Sequence, residues 1–328
     1  MKAIIPAAGA GTRLQPHTFN RPKVMVPVAG KPILEHISES LFSAGIDHIT
    51  VIVGYKQKTV TDYFNTEFPG KFSFITQKEM KGLAHAIRYG LEDRDEPVLI
   101  ILGDTIIDMD LRSFQDPREN RIAVAAVEDP QRFGIVETDK SGRIRAMVEK
   151  PENPPGNLAI AGVYCLQSQR KLRNAIDTLI RKDIRTRGEY QLTDALRVMM
   201  DQGEKFKAEP IRAWYDCGTA ETLLSTSAYL LTKHAANHGQ YNNLRLHEPV
   251  YIGHGSCIEN SEIGPNVAIG ENVRIRGSKI RNSMIFSHAK LENCDLQDTL
   301  IGERSRVRNA KGSLNIGDDE TVPPQKNG

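Results

Sequence analysis

The second half of the chain contains a short repeat that few folds can accommodate. An aliphatic residue recurs at steps of five or six positions, at Ile252, Ile258, Ile263, Ile269, Ile275, Ile280, Ile285, Leu291, Leu296, Ile301 and Val307. A hexapeptide period is typical of a parallel β-helix, in which each short strand buries one aliphatic residue and stacked coils share a core. Eleven successive positions make a few irregular surface strands a poor alternative. The repeat therefore predicts a β-helix of about four coils over residues 250–317.

The preceding residues follow a different pattern, in which apolar strand-like runs alternate with helical spacing. Strands are predicted at 2–7, 48–53, 72–76 and 98–102, and helices at 32–44, 83–91 and 219–238. This alternation indicates a Rossmann-like α/β domain, with a mostly parallel sheet covered by helices, over residues 1–240. Ligands of such sheets bind beyond the carboxyl ends of the strands. A linker is expected at 241–249 and a frayed tail at 318–328.

Composition excludes several other classes of protein. The formal net charge of +2 argues against a general nucleic-acid partner. No apolar run approaches the roughly 20 residues that span a bilayer, and Pro6 and the following glycines interrupt the N-terminal run, so we expect no membrane segment and no signal peptide. The four cysteines form no C-x-x-C pair, which favours free thiols. We therefore expect a cytoplasmic protein.

A glycine-containing loop follows the first predicted strand. It reads Ala8-Gly9-Ala10-Gly11-Thr12-Arg13. Glycines at such a position let backbone N–H groups approach a phosphate, and Arg13 adds a planar, permanently charged donor. Lys23 supplies a second cation a few residues later. Taken alone, the loop fits a tight turn with surface charges equally well.

The loop is the first of several motifs that resemble, in order, those of the sugar-1-phosphate nucleotidyltransferases. These are Gly11-Thr12-Arg13-Leu14, Arg21-Pro22-Lys23, Gly30-Lys31-Pro32, Gln77 with Gly82-Leu83-Ala84-His85-Ala86, Leu102-Gly103-Asp104, Arg132-Phe133-Gly134, Val148-Glu149-Lys150-Pro151, Gly188-Glu189-Tyr190-Gln191-Leu192-Thr193-Asp194 and Trp214-Tyr215-Asp216-Cys217-Gly218-Thr219. Within this family the chain looks most like the glucose-1-phosphate thymidylyltransferases with a C-terminal left-handed β-helix. It departs from the pattern at Ala8, where the family often has a glycine, and at Cys217, where many members have another small residue.

The resemblance implies attack by the phosphate of a sugar 1-phosphate on the α-phosphorus of a nucleoside triphosphate, with release of pyrophosphate. The second pKa of a phosphate monoester is about 6, so the nucleophile is already an anion and needs no general base. By resemblance, Asp104 and Asp216 are the ligands of a Mg²⁺ ion, which prefers oxygen donors. Arg13 is assigned to the leaving end of the triphosphate and Lys23 to the α-phosphate. Asp is also common in turns after strands, which is the alternative for Asp104.

Binding residues are assigned by the same resemblance. Those of the nucleotide are Ala8, Gly9, Gly11, Thr12, Gln77 and Gly82, and those of the sugar phosphate are Gly134, Glu149, Lys150 and Gly162. The Gln77 amide can pair with a base edge, and Gly82 leaves room for the base. Uracil and thymine share that edge and differ by one methyl group, so dTTP is favoured by resemblance alone and UTP stays open.

Two other functions compete with this enzyme. A scaffold protein could bind sugar nucleotides without turnover, but Arg13, Lys23, Asp104 and Asp216 together argue against it. An acyltransferase could reside in the β-helix, but about four coils without a long insertion look too short. The flat sides of the β-helix suit self-association instead, and we expect a homo-oligomer.

Overall fold

The computed structural model describes residues 1–116 and 118–322. The chain folds as two compact units. The first contains Met1–Ala10 and His36–Trp214, and the second contains Gly11–Glu35 together with the chain from Tyr215 onward. The units thus divide the chain earlier than the predicted boundary near residue 240. The glycine loop itself passes from one unit to the other between Ala10 and Gly11.

The described residues form seven α-helices. They are Ile33–Ser43 (α1), Gln57–Glu67 (α2), Leu83–Gly90 (α3), Leu111–Phe114 (α4), Gln169–Arg181 (α5), Leu192–Asp201 (α6) and Ala220–His234 (α7). Short 3₁₀ helices lie at Thr12–Leu14, Lys23–Met25 and Pro130–Arg132. The strands before the repeat region are Lys2–Ala7 (β1), Pro27–Val28 (β2), Lys31–Pro32 (β3), Ile49–Val53 (β4), Phe72–Thr76 (β5), Val98–Ile101 (β6), Thr105–Asp108 (β7), Asn120–Ala126 (β8), Gly134–Thr138 (β9), Ile144–Glu149 (β10), Leu158–Leu166 (β11), Phe206–Pro210 (β12) and Ala213–Asp216 (β13).

A nine-stranded mixed sheet forms the centre of the first unit, with seven strands in the order β10-β9-β11-β6-β1-β4-β5. Strands β6, β1, β4 and β5 are mutually parallel, as the strand–helix alternation predicts. Strand β11 runs antiparallel to β6, β8 and β9, and β10 pairs with β9 as an antiparallel hairpin. The short loop between β9 and β10 permits their antiparallel hairpin, whereas parallel neighbours such as β1 and β4 are joined through a helix, here α1.

Helices of the first unit cover the sheet with apolar faces. In α5, Leu172, Ile176 and Leu179 are fully buried at helical spacing and join one core with strand residues such as Ile4 and Ile100. The α5 helix begins at Ser168, whose Oγ accepts a hydrogen bond from Lys171 N at 3.2 Å. This cap satisfies a backbone donor that the helix itself leaves unpaired.

The repeat region is a parallel β-helix. Its strands are Gln240–Leu246 (β14), Val250–Ile252 (β15), Cys257–Ile263 (β16), Val267–Ile269 (β17), Arg274–Arg276 (β18), Lys279–Ile285 (β19), Lys290–Glu292 (β20), Asp295–Ile301 (β21), Arg306–Arg308 (β22), Lys311–Gly312 (β23), Asn315–Ile316 (β24) and Thr321–Val322 (β25). Successive coils stack in parallel, with Val250 beside Val267, Val267 beside Ser283 and Ser283 beside Thr299. All eleven predicted repeat positions are at most 2% exposed and share one core. The predicted β-helix is confirmed.

The predicted linker and tail differ from the structure. Strand β14 covers most of the segment predicted as a linker and pairs in parallel with β16, while the half-buried Leu244 and Leu246 pack against the β-helix core. Strand β25 pairs with β22, so the first part of the predicted tail continues the coil. The prediction missed both because these segments are rich in polar residues, and backbone pairing holds them in place. Residues 323–328 lie outside the described part of the chain.

The described parts of the chain contain no helix that could cross a membrane and no disulfide. None of the helices within residues 1–116 and 118–322 has the length and apolar character that crossing a membrane requires. Cys165, Cys217, Cys257 and Cys294 are free thiols, as expected.

Candidate active site

The glycine loop depends on a close approach between Gly11 and Lys23. Gly11 has a φ of 69°, and a Cβ added to it would lie 2.7 Å from Lys23 Cβ. Thr18 Oγ1 also donates a hydrogen bond to the Gly11 carbonyl at 2.9 Å. Only glycine combines this backbone conformation with the available space. The loop therefore brings the start of Lys23's side chain against the backbone at Gly11.

In the second unit, Asp216 lies between Lys23 and a further glycine, Gly218, which also lies near Arg13. Lys23 is only 8% exposed, and its Nζ lies 3.8 Å from Asp216 Oδ1. A Cβ on Gly218 would lie 2.7 Å from Asp216 Oδ2 and 3.2 Å from Arg13 Nη2. Glycine at position 218 thus leaves space directly beside a carboxylate and a guanidinium. Two cations from one loop and a carboxylate almost 200 residues later in the sequence meet here.

The chemistry of this cluster suits a hard divalent ion with phosphate ligands. Mg²⁺ is commonly bound by one or two carboxylates together with substrate phosphate oxygens. Asp216 supplies carboxylate oxygens, and the open space beside Gly218 reaches them. No group of three or more His, Cys, Asp or Glu side chains with the geometry of a metal site occurs among residues 1–116 and 118–322. A metal site made only of protein side chains is therefore absent from the described residues. A site completed by substrate phosphate oxygens is compatible with Asp216.

In the first unit, Asp104 lies in the short turn between β6 and β7, and this turn packs against Gly162. Leu102 N donates a hydrogen bond to the Gly162 carbonyl at 2.9 Å. Gly162 has a φ of 77°, and a Cβ there would lie 3.0 Å from Thr105 Oγ1. The turn that carries the half-buried Asp104 therefore packs against the backbone of β11. Gly162 thus contacts Leu102 and Thr105, the residues on either side of Gly103 and Asp104.

Glu149 is held by a residue that the sequence analysis did not assign to the site. Thr193 Oγ1 donates a hydrogen bond to Glu149 Oε2 at 2.7 Å, and a Cβ on Gly134 would lie 2.7 Å from that hydroxyl and 3.0 Å from the carboxylate. Lys150 Nζ is 3.4 Å from Glu149 Oε1. The structure thus places Gly134, Glu149, Lys150 and Thr193 in contact with one another. Thr193 lies within the motif at residues 188–194, and this was the sequence feature that could have identified it as a site residue.

Gln77 and Gly82 have partners within the first unit. Gln77 is 5% exposed, and its Nε2 lies 3.3 Å from His85 Nδ1. Burial, with a smaller effect from Lys81, holds the pKa of His85 below its ordinary value. Gly82 has a φ of 109°, and a Cβ there would lie 2.7 Å from both the N and O atoms of Tyr190. The fold itself therefore requires glycine at position 82, independently of any bound base.

Ala8, Gly9 and Thr12 show less specific surroundings. The Ala8 carbonyl accepts a hydrogen bond from Tyr55 N at 3.0 Å, and Ala8 is buried. A Cβ on Gly9 would meet no atom within 4 Å. Thr12 is exposed at the start of a 3₁₀ helix. Packing therefore does not require glycine at position 9, in contrast to position 11.

Comparison with known proteins identifies the family of the chain. The family model described as Nucleotidyl transferase matches residues 2–233. Bifunctional protein GlmU from Methanocaldococcus jannaschii is 40% identical over 235 residues, which cover 71% of this chain and 55% of that protein. The chain thus spans about half the length of this relative. Glucose-1-phosphate thymidylyltransferase from Streptomyces antibioticus is 30% identical over 361 residues, which cover 99% of this chain and 100% of that enzyme.

A solved structure shows the same fold in the first part of the chain. UDP-glucose pyrophosphorylase complexed with UDP-glucose superposes with a TM-score of 0.61 at 30% identity, covering 71% of this chain and 99% of that one. The chain belongs to the nucleotidyl transferase family. The predicted class of reaction, nucleotidyl transfer to a sugar 1-phosphate, agrees with these relatives. Their names refer to two different nucleotides.

Proposed function

We propose that this protein transfers a nucleotidyl group from dTTP to glucose 1-phosphate and releases pyrophosphate, with UTP as the alternative donor. The observation that supports it most is the cluster of Arg13, Lys23 and Asp216 around Gly218, in a chain whose residues 2–233 match the nucleotidyl transferase family. A protein that only bound sugar nucleotides would have no need for this combination of cations and carboxylate.

The reaction forms one P–O bond and breaks another. An oxygen of the sugar phosphate bonds to the α-phosphorus, and the bond from that phosphorus to the bridging oxygen breaks, so pyrophosphate leaves with the electron pair. The enzyme must bring two polyanions together and stabilise the charge that develops. We assign Lys23 to the α-phosphate and Arg13 to the leaving pyrophosphate. Asp104 and Asp216 are the proposed ligands of Mg²⁺, which when bound neutralises phosphate charge.

The remaining predicted residues divide between the two substrates. Glu149, oriented by Thr193, accepts hydrogen bonds from sugar hydroxyls, and Lys150 binds the sugar phosphate, with Gly134 and Gly162 providing close backbone approach. The nucleotide is assigned to Ala8, Gly9, Gly11, Thr12, Gln77 and Gly82. Support for these roles comes from the hydrogen bond between Thr193 and Glu149 and from the grouping of Gly134 with the same carboxylate.

The proposal is tested by measuring pyrophosphate release across a panel of substrates. The purified protein is assayed with Mg²⁺, each nucleoside triphosphate and the 1-phosphates of glucose, glucosamine, N-acetylglucosamine and mannose. We expect release with glucose 1-phosphate and dTTP or UTP, loss of release with excess EDTA, and recovery when Mg²⁺ is added back. Absence of release for every pair would contradict the proposal and favour a sugar-nucleotide-binding scaffold.

Assembly and location stay predictions from the sequence. We propose a homo-oligomer, supported by the flat faces of the β-helix, and a cytoplasmic location. Sedimentation of the purified protein measures the first, and fractionation of the source cells measures the second.

A further inference from the structure

The β-helix contacts the loop that carries Arg13 and Lys23, and both belong to the second unit. We name residues 11–26 the phosphate loop. Arg13 and Lys23 of this loop lie near Asp216. Other residues of the same loop, from Pro16 to Arg21, contact the β-helix between Phe286 and Asp318. The contacts involve charge, hydrogen bonds and packing.

Arg21, two residues before Lys23, makes the charged contact. Its Nη2 lies 2.5 Å from Glu303 Oε2 and 2.9 Å from Asp318 Oδ2, and its guanidinium carbon lies 5.7 Å from the centre of the Phe286 ring. The Arg21 side chain is 15% exposed and that of Asp318 only 2%. Because a displaced partner would leave buried charge uncompensated, this ion pair strongly favours one position of the loop.

Asp318 accepts a hydrogen bond from the backbone of a neighbouring coil in addition to its ion pair with Arg21. Its Oδ1 accepts a hydrogen bond from Glu303 N at 2.8 Å, across one turn of the β-helix. Asp318 is therefore fixed by a neighbouring coil while its other oxygen binds Arg21. The loop is attached to a rigid part of the β-helix.

His17 and Pro16 provide two further contacts. His17 Nε2 lies 2.6 Å from Asn315 Oδ1, and its ring meets Phe286 edge-on with centroids 5.3 Å apart. The residue is 1% exposed. A Cβ on Gly317 would lie 2.9 Å from Pro16 Cβ, so glycine in the coil permits this approach. The phosphate loop is thus held at three points by one end of the β-helix.

We infer that the β-helix is a structural part of the nucleotidyltransferase site, with Arg21 and His17 as positioning residues that hold Arg13 and Lys23 for the triphosphate. The inference rests on the proposed function and gives the β-helix a role in turnover besides assembly. A displacement of about 1 Å at reacting groups can cost roughly 100-fold in rate, even when the altered residue lies away from the chemistry. Loosening the loop at Arg21 should therefore reduce turnover while the charged groups themselves remain.

The test compares Arg21→Gln, Asp318→Asn and their combination in the full-length protein. We expect each single variant to lower kcat, and with it kcat/KM for the triphosphate, by about 10- to 100-fold, with the KM for glucose 1-phosphate within about twofold of wild type. The double variant should lose little more than either single one, because both changes remove the same contact. Arg21→Lys, which keeps a cation beside the two carboxylates, should recover part of kcat.

Matched controls separate positioning from stability. Arg281→Gln and Asp295→Asn break an ion pair of 3.1 Å on the exposed surface of the β-helix, and we expect near-wild-type kcat. Ile280→Ala removes buried core volume from the β-helix without changing the loop. All variants are assayed at a temperature at which circular dichroism shows each to be folded. A loss of kcat in Ile280→Ala equal to that in Arg21→Gln would assign the effect to general destabilisation and overturn the inference.

Hydrogen exchange in the full-length protein, followed in a peptide covering residues 11–26, measures the mobility of the phosphate loop directly. Faster exchange in Arg21→Gln together with reduced kcat supports the inference. Unchanged kcat overturns it, whether or not exchange becomes faster.

If the wild type turns over no substrate pair, the proposed function fails, and calorimetry with Mg²⁺ and dTTP or UTP becomes the test. About tenfold weaker binding by Arg21→Gln then supports the positioning role. Equal affinity, or no binding by the wild type, overturns it.

Discussion

At the scale of single residues, the candidate site combines glycines that allow close approach with side chains that carry charge. Gly11 accommodates the start of the Lys23 side chain, and Gly218 leaves space beside Asp216 and Arg13. Lys23 is buried, whereas Arg13 is exposed. The two cations should therefore respond differently to substitution, because only Lys23 contributes to packing as well as to charge.

Replacing Arg13 with alanine should reduce turnover far more than stability. Loss of a preorganised donor to developing charge costs on the order of 10²- to 10³-fold in kcat, and substitution of an exposed side chain changes the free energy of unfolding by about 0.5 kcal/mol or less. Steady-state kinetics and thermal unfolding measure both effects, with Arg281→Ala as the control. Intact turnover in Arg13→Ala would remove this residue from the site.

Adding one methyl group at Gly218 should disturb the site with little effect on folding. The new Cβ would lie 2.7 Å from Asp216 Oδ2, so the carboxylate, the end of a flexible side chain, must move. We expect kcat to fall by about tenfold or more for Gly218→Ala, since small displacements of positioned groups are costly. In the control Gly156→Ala, the added methyl meets no atom within 4 Å. Equal activity of the two variants would contradict the expectation.

The buried His17 should make stability depend on pH. Burial lowers the pKa of His17 below its ordinary value of 6.5, although Asn315 and Asp318 oppose this shift. As the pH falls below about 6.5, the unfolded chain binds a proton that the folded protein resists, so the free energy of unfolding decreases until the folded pKa is passed. Urea unfolding between pH 7.5 and pH 5 should show this decrease in the wild type and a smaller one in His17→Gln. Parallel curves would contradict the assignment.

At the scale of elements, the β-helix was predictable because each short strand contributes an aliphatic residue to a common core. Backbone pairing in parallel coils then repeats the same environment about every 16 residues, as in the step from Val267 to Ser283 and from Ser283 to Thr299. Its first and last strands, β14 and β25, escaped prediction since they are polar and depend on pairing with a neighbouring coil. A strand without an apolar signature cannot be distinguished from a linker in the sequence.

A single core substitution should test the stacking of the coils. Ile280 is fully buried in β19, and truncating a buried isoleucine to alanine typically costs about 2–5 kcal/mol. We expect Ile280→Ala to lower the urea midpoint of the transition assigned to the β-helix, while the adjacent exposed-side variant Arg281→Ala stays within about 0.5 kcal/mol. Similar midpoints for both variants would argue against a shared coil core.

At the scale of the whole molecule, membership of the nucleotidyl transferase family defines the reaction class better than the nucleotide. The comparisons include a thymidylyltransferase and a UDP-glucose pyrophosphorylase at the same 30% identity. The predicted elements of the first unit agree closely with the structure, and β1 and β5 have the predicted bounds.

The preference between dTTP and UTP should be limited in size. The bases differ by one methyl group, which supports about 1–3 kcal/mol, or roughly 10- to 200-fold, of discrimination. We expect the ratio of kcat/KM values for dTTP and UTP to fall within about 200-fold, measured by pyrophosphate release with glucose 1-phosphate. A larger ratio would show that the pocket rejects one base by more than a missing methyl contact.

The motifs identified the candidate residues, while their partners came from the structure alone. Thr193 and Glu149 are 44 positions apart, and Arg21 and Glu303 are 282 apart. Such pairs have no local pattern, because neither propensity nor periodicity links residues so distant in the chain. Gly82 shows the same limit, since its close neighbour Tyr190 arrives from another part of the first unit.

The sequence by itself determined the two kinds of fold and, through motifs that resemble a known family, the reaction class and the candidate charged residues. Each of these follows from local periodicity or from short motifs, which the order of residues contains directly. The tertiary structure alone decided which glycines the packing requires, how Thr193 orients Glu149, and that the β-helix holds the phosphate loop through Arg21 and His17. These are contacts between distant segments, and their geometry exists only after the backbone has brought those segments together.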